Sequence, residues 1–296
     1  MSEAAAVVRA FRPNFLILAP LCAGLGVAVA WQQASSPSLL DAVLVLVGAL
    51  LAHAAVNLFN EYDDFVSGLD LITRRTPFSG GSGALPEVPS AAKGVLAAAI
   101  GTLALVIAIG LYFLWQRGLP MLVLGTAGVV LVLTYTRWIT RLPILCLLAP
   151  GLGFGPIMIL GALLALGARI DAMAIAVSVV ALLLVSELLL INQIPDAEAD
   201  RQIGRRHLVI VLGPAKATRL VACLLVGSYL PVVLGIVTGW LPEWSGLALL
   251  TLPFSLWIAA RLPRVLDQPA ALNAMLGANV AVLLSTLALL IVGLSL

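Results

Sequence analysis

Apolar runs too long for a soluble core recur along this chain and limit what it can become. Stretches of about 17 to 25 mostly apolar residues, the length that crosses a bilayer as a helix, fall near 13–33, 38–63, 91–115, 119–136, 143–167, 171–194, 215–238, 245–262 and 270–295. Helices satisfy their own backbone polar groups in hydrocarbon, so an all-α, polytopic membrane protein of about nine spans is predicted. The eighth run carries Pro253 and has the least defined limits. Composition agrees: 62% of the 296 residues are hydrophobic and 10% charged, with a mean hydropathy of +1.13, which excludes an ordinary soluble domain. A single domain over residues 1–296 is expected. The first run follows Arg9 and Arg12 but has no convincing cleavage site and is followed by further spans, so it is predicted to stay as a first helix. Cys22, Cys146 and Cys223 all lie in apolar runs, without metal-ligand spacing, and are expected to be buried small hydrophobes.

The basic residues set the orientation. All 16 Lys and Arg residues except Arg117 and Arg169 lie in the N-terminal segment or in the connections after even-numbered spans. Because Lys and Arg collect in short cytoplasmic loops, the N-terminus is predicted to be cytoplasmic and the C-terminus outside. The expected location is the cytoplasmic (inner) membrane, with membrane lipids as partners and no nucleic acid.

Two connections stand apart, one from about Phe65 to Ser90 and the other from Pro195 to about Pro214. An even number of predicted spans separates them, so both face the cytoplasm. At the mouth of the first, His53, Asn57, Asn60 and Asp64 repeat at helical spacing and form a polar stripe running into the second span. At the mouth of the second, Asn192, Asp196 and Asp200 repeat at i, i+4, i+8. Ionisable groups at membrane depth are costly unless they line a wet or protein-walled cavity. Carboxylates at helix ends are often simply solvated, yet here the same arrangement occurs twice on one side. Oxygen donors in this pattern suit Mg²⁺, which binds through one or two carboxylates together with substrate phosphates. The neighbouring Arg74, Arg75, Arg201, Arg205 and Arg206 suit the remaining negative charge of a diphosphate. His53 is open to two readings, an interhelical hydrogen bond or a substrate contact. Glu187, deep in the sixth span, points to a structural pairing more than to catalysis. The run Thr76–Gly83 reads equally as a flexible loop or as a lid beside the first cluster.

These residues resemble the UbiA superfamily of intramembrane prenyltransferases. Asn60-Glu61-Tyr62-Asp63-Asp64 through Gly68 and Asp70 is similar to the N-D-Y-x-D-x-x-x-G-x-D form of the menaquinone-pathway branch, with Glu61 in place of Asp. Asn192 to Asp200, with Arg201, Gly204 and Arg205, resembles the second motif of that branch. Arg12-Pro13, Tyr135 and Val211-Leu212-Gly213 fit as well. The segment Tyr135–Arg141 lacks the family's common Y-[ST]-x-P-P-x-x-L form, a region associated with the acceptor.

The resemblance implies a UbiA-type bundle of nine helices with motif loops at about 57–90 and 192–214. It implies Mg²⁺ held by Asn60, Asp64, Asp70, Asn192, Asp196 and Asp200. It also implies binding of a polyprenyl diphosphate, with Arg12, Asn57, Arg75, Lys93, Arg201 and Arg205 as substrate contacts. Asp64, Asp196, Tyr135 and His53 would carry the chemistry. The acceptor implied by the motif form is aromatic and 1,4-dihydroxy-2-naphthoate-like. Acceptors such as 4-hydroxybenzoate, homogentisate, chlorophyllide or a glycerol-phosphate lipid, and a non-catalytic lipid-binding or transport role on the same scaffold, stay open.

Overall fold

The computed structural model describes residues 1–33, 35 and 37–296. A short helix α1 (Glu3–Ala10) begins at the cap Ser2 and leads through a turn at Pro13–Phe15 into α2 (Leu18–Gln32). The longest helix, α3 (Leu39–Val66), starts at Ser38, whose side chain accepts from the amide of Asp41. After α3 come α4 (Leu69–Ile72), α5 (Ala84–Glu87), α6 (Ala92–Arg117) and α7 (Leu119–Thr134). α8 (Pro143–Leu152) passes through a π-helical stretch, Gly153–Leu160, into α9 (Gly161–Ala165). α10 (Ala172–Asn192) is capped by Asp171. The short α11 (Ala197–Gln202) and α12 (Leu208–Leu212) precede α13 (Pro214–Gly227) and α14 (Leu230–Val237). A 3-10 segment, Glu243–Thr251, enters α15 (Leu252–Arg261), and α16 (Pro269–Ser295) ends the chain.

Seven of these segments are long and apolar enough to span a membrane, or eight if the bent pair Glu3–Phe15 and Leu18–Gln32, which meet at 48°, counts as one span. This is an integral membrane protein. The nine apolar runs all become helical, but Leu119–Thr134, at 16 residues, is short for a full span. Two runs are also less regular than predicted. The seventh breaks at Ser228–Tyr229, and the eighth begins as 3-10 helix before Pro253 starts α15. Proline lacks the donor that a continuous α-helix needs, which accounts for both interruptions near Pro231 and Pro253. The amphipathic α1, with Ala6 and Ala10 buried and Val8 exposed, falls outside all the predicted spans.

α10 is the central helix and the most enclosed of the spans. The proline-containing α8–α9 segment packs against it through glycines: a Cβ on Gly155 would lie 2.6 Å from the carbonyl oxygen of Ser178. Small residues of this kind let membrane helices approach closely where burial in lipid gives no separate drive for association. Cys22 and Cys146 are buried as expected, but Cys223 is exposed. An apolar residue of a spanning helix is as well placed facing lipid as facing protein, so hydropathy does not distinguish the two. Trp31 and Trp115 protrude at the ends of α2 and α6 remote from the motif loops, as interfacial tryptophans do.

Candidate functional site

The last turns of α3 carry the first polar stripe. The whole stripe lies on one uninterrupted helix, so His53, Asn57, Asn60 and Asp64 face one chamber of about 270 Å³. Asn57 Nδ2 donates to the carbonyl of Phe11 at 3.0 Å, tying α3 to the N-terminal segment. Asn60 Nδ2 donates to Asp64 Oδ2 at 3.0 Å and lies 3.3 Å from Thr136 Oγ1. Gly68, with φ of 81°, turns the chain after α3 so that Asp70 on α4 points back into the chamber wall.

The second stripe is built differently from the predicted continuous face. α10 stops at Asn192, the chain turns through Pro195, and Asp196 precedes α11, which carries Asp200. Proline at 195 disfavours helical backbone at Ile194, so the helix ends there rather than running on. Asn192, Asp196 and Asp200 still reach the same chamber as the first stripe.

Arg205 joins the two arms. Its guanidinium pairs with Asp64 of the first motif and, at 2.9 Å, with Asp200 of the second. His207 Nε2 lies 3.0 Å from the other oxygen of Asp200. The loop before α5 covers the chamber. Ser79 Oγ donates to Asp196 at 3.0 Å and the amide of Gly80 at 3.1 Å, while Ser82 Oγ donates to the buried Glu61 at 2.7 Å. Thr76–Gly83 thus lies over the chamber, bound directly to the acidic residues.

Burial, followed by the negative charges of Asp64 and Glu61, pushes the Asp70 carboxyl up to about 7. Burial and then Asp200 push Asp196 up to about 7 as well. Both shifts arise where charge would be desolvated without a sufficient positive partner. Two oxygen atoms in the wall, Asp70 Oδ2 and Asn192 Oδ1, are buried without a hydrogen-bond partner. With the surrounding carboxylates they make a hard-oxygen donor set that fits Mg²⁺. Among the described residues, no three Asp, Glu, His or Cys side chains already converge as a metal cluster; Arg205 holds part of that acidic set together.

Of the predicted diphosphate contacts, Arg12 and Arg205 line the chamber. Arg12 sits in the left-handed region (φ 53°), with its guanidinium 4.8 Å from the Phe15 ring centre. The other three do not line it. Arg75 folds against Gly83 and lies 3.9 Å from Glu87, Lys93 is exposed at the start of α6, and Arg201 is exposed and pairs with Glu198 at 2.9 Å. Lys93 on α6 and Arg201 on α11 face outward, and Arg75 lies in the loop between α4 and α5. His207 and the direct bonds from Ser79 and Gly80 went unpredicted. His207 is one of only two histidines in the chain and follows Asp200 by seven residues, a signal that was present but weak.

A second chamber, of about 250 Å³, opens between α3, α6, α7 and the α8–α9 segment and is walled almost wholly by aliphatic side chains and glycine. His53, Val56, Tyr135, Pro150 and Phe154 line both chambers. The His53 and Phe154 rings meet edge to face, with centres 4.7 Å apart. The polar and apolar spaces therefore adjoin at an aromatic neck.

The model of the UbiA prenyltransferase family matches residues 17–287. A 1,4-dihydroxy-2-naphthoate octaprenyltransferase of Escherichia coli (strain K12) is 29% identical over an alignment of 312 positions that covers 99% of this chain and 96% of the relative. The enzyme of the same name from Bacillus subtilis (strain 168) is 29% identical over 213 residues, covering 71% of this chain and 67% of the relative. Among solved structures, a UbiA homolog from Archaeoglobus fulgidus bound to DMAPP and Mg²⁺ shares the fold with a TM-score of 0.65 at 18% identity, covering 96% of this chain and 98% of that one.

Proposed function

The chain belongs to the UbiA prenyltransferase family, and from that premise we propose that it transfers a polyprenyl group from a polyprenyl diphosphate to an aromatic acceptor of the 1,4-dihydroxy-2-naphthoate kind, a step of menaquinone-type quinone biosynthesis. One observation carries the proposal. A chamber of carboxylates and arginines meets a largely apolar chamber at an aromatic neck, which suits a ligand with a charged head, a reactive allylic carbon and a hydrocarbon tail. The two octaprenyltransferase relatives support this acceptor class.

The diphosphate head binds in the polar chamber, where Arg12 and Arg205 supply positive charge. Asn60, Asp64, Asp70, Asn192, Asp196 and Asp200 would hold Mg²⁺. When bound, Mg²⁺ would offset the charge that builds on the leaving diphosphate. Tyr135 and Phe154 line the neck, where an aromatic ring would stabilise the positive charge that develops on the allylic carbon. The cover Ser79–Gly81 keeps water from that carbon, which would otherwise be hydrolysed. His53 Nδ1 is buried and lacks a partner, and it is the atom proposed to take the proton released by the acceptor. Asn57 holds the N-terminal segment that carries Arg12 against α3. In the proposed orientation the N-terminus and both motif loops are cytoplasmic and the C-terminus lies outside the inner membrane. About nine crossings are then required, with Leu119–Thr134 included as a short one.

The deciding experiment incubates the purified protein with Mg²⁺, labelled polyprenyl diphosphates and a panel of aromatic and lipid acceptors, and identifies products by mass spectrometry. Prenylated naphthoate is the expected product. Product on another acceptor only would overturn the acceptor, and diphosphate binding without any product would overturn the enzymatic reading.

A further inference from the structure

Glu187 and Asn279 are both fully buried, on the facing spans α10 and α16, and the mechanism above uses neither. Asn279 Nδ2 donates to Glu187 Oε2 at 2.9 Å. The remaining polar atom of each side chain, Glu187 Oε1 and Asn279 Oδ1, is buried without any partner. Among the described residues no cation lies within ion-pair distance of Glu187.

These two unpartnered atoms share one explanation. A carboxylate can only accept, and an amide oxygen can only accept, so an ionised Glu187 leaves Asn279 Oδ1 without a donor whichever way the amide is turned. It also leaves an unpaired charge in the interior of a membrane bundle, a costly arrangement. A neutral carboxylic acid supplies the missing donor. We propose that Glu187 carries a proton on Oε1 and donates it to Asn279 Oδ1, so that acid and amide close a ring of two hydrogen bonds that clamps α10 to α16 beneath the polar chamber.

The clamp bears on the site because of what adjoins it. On α10, Leu188, Leu189 and Asn192 line the polar chamber, and on α16 so do Val280 and Leu283. Two residues before Asn279, Gly277 packs against Phe78 of the cover: a Cβ there would lie 3.1 Å from the Phe78 ring. Glu187 is thus a positioning residue, holding the helix that ends in the second motif against the helix on which the cover rests. This positioning role rests on the prenyl-transfer reading. The proton and the clamp do not.

The test compares wild type with Glu187→Gln and Glu187→Leu in detergent. Glutamine restores the ring as a pair of amides, so Glu187→Gln is expected to keep its apparent melting temperature within about 2 °C and its kcat within about twofold. Leucine strands both polar atoms of Asn279, so Glu187→Leu is expected to melt about 5 °C or more lower and to lose about tenfold in kcat through misplacement of the second motif. The infrared difference between wild type and Glu187→Gln is expected to show the carbonyl band of a protonated carboxyl group. Carboxylate bands in its place, or damage by glutamine equal to that by leucine, would overturn the proposal. If the leucine variant fails to fold, the glutamine variant and the infrared spectrum still decide. Both can be measured without turnover, so a protein with the expected band and no prenylated product would count against the function alone.

Discussion

The two acidic arms of the chamber hold matching residue types by different means. Asn60 and Asp64 stand on one unbroken helix of 28 residues, one turn apart and hydrogen-bonded to each other. Asp196 lies beyond the end of α10, past Pro195, and is held from across the chain by Ser79 and Gly80 of the cover. The first arm is organised by local helix geometry and the second by a long-range contact. The difference teaches that Asp196 of the second arm is bound directly to the cover. In the first arm Asn60 and Asp64 bond each other and Asp64 pairs with Arg205, leaving the cover to contact that arm only through Glu61 and Asp70. Arg205 spans the gap between them.

The largest effects come from removing one carboxylate from each arm. Asp64→Ala and Asp196→Ala are each expected to lower turnover by about 10³-fold while leaving a folded protein, as judged by size-exclusion and melting in detergent. Full activity in the folded Asp196 variant alone would break the equivalence of the arms. Chelation with EDTA is expected to stop the reaction and added Mg²⁺ to restore it; indifference to the chelator would remove the shared metal role from both.

Arg205→Gln should come next. It leaves Asp64 and Asp200 desolvated without their cation, a loss of about 3 kcal/mol in metal-free protein. Mg²⁺ should recover more stability in this variant than in wild type, as read by melting with and without the metal. Equal metal responses would show that Arg205 does not hold the two arms together.

pH provides a smaller handle on the region under the cover. Asp70 and Asp196 both sit near 7, above the ordinary value of 3.8. Between those values the folded state binds more protons than the unfolded one, so stability falls as pH rises from about 4 through 7. In EDTA the melting temperature is expected to decline over that window, and Asp70→Asn to flatten the decline. Protection by Mg²⁺ should be greater at pH 8 than at pH 6, because the metal binds the ionised carboxylates. A melting temperature that rises across the window would contradict the carboxyl assignment.

Ser79→Ala tests the coupling most gently. It removes one of the two donors to Asp196 and leaves the Gly80 amide, so a change of about 1 kcal/mol is expected, seen as a modest loss of kcat with no change in the pairing of Asp64. An effect as large as that of Asp196→Ala would mean that the cover, not the carboxylate, organises the second arm.

Much of the site was legible because it repeats at helical spacing. His53, Asn57, Asn60 and Asp64 could be placed on one face from their numbering alone, and all four line the chamber. Motif similarity likewise identified Arg205, Asn192, Asp196 and Asp200. Arg75, Lys93 and Arg201 do not line the chamber, since nearness along the chain carries no information about which way a surface side chain turns. His207 and the cover's bonds to Asp196 span distances that no periodicity reports.

By itself, the sequence determined the solvent and the class of fold, since apolar runs of bilayer length leave helices as the structure that satisfies the backbone. It also determined which oxygen donors exist and that both clusters lie at helix mouths. Only the tertiary structure decided that the two clusters share one chamber, that this chamber adjoins an apolar one at His53 and Tyr135, and that Arg205 links both arms. Local spacing governs neighbours within a helix, whereas contacts between helices follow from packing, where small differences at Gly151, Gly155 or Pro195 set how closely and at what angle the elements meet.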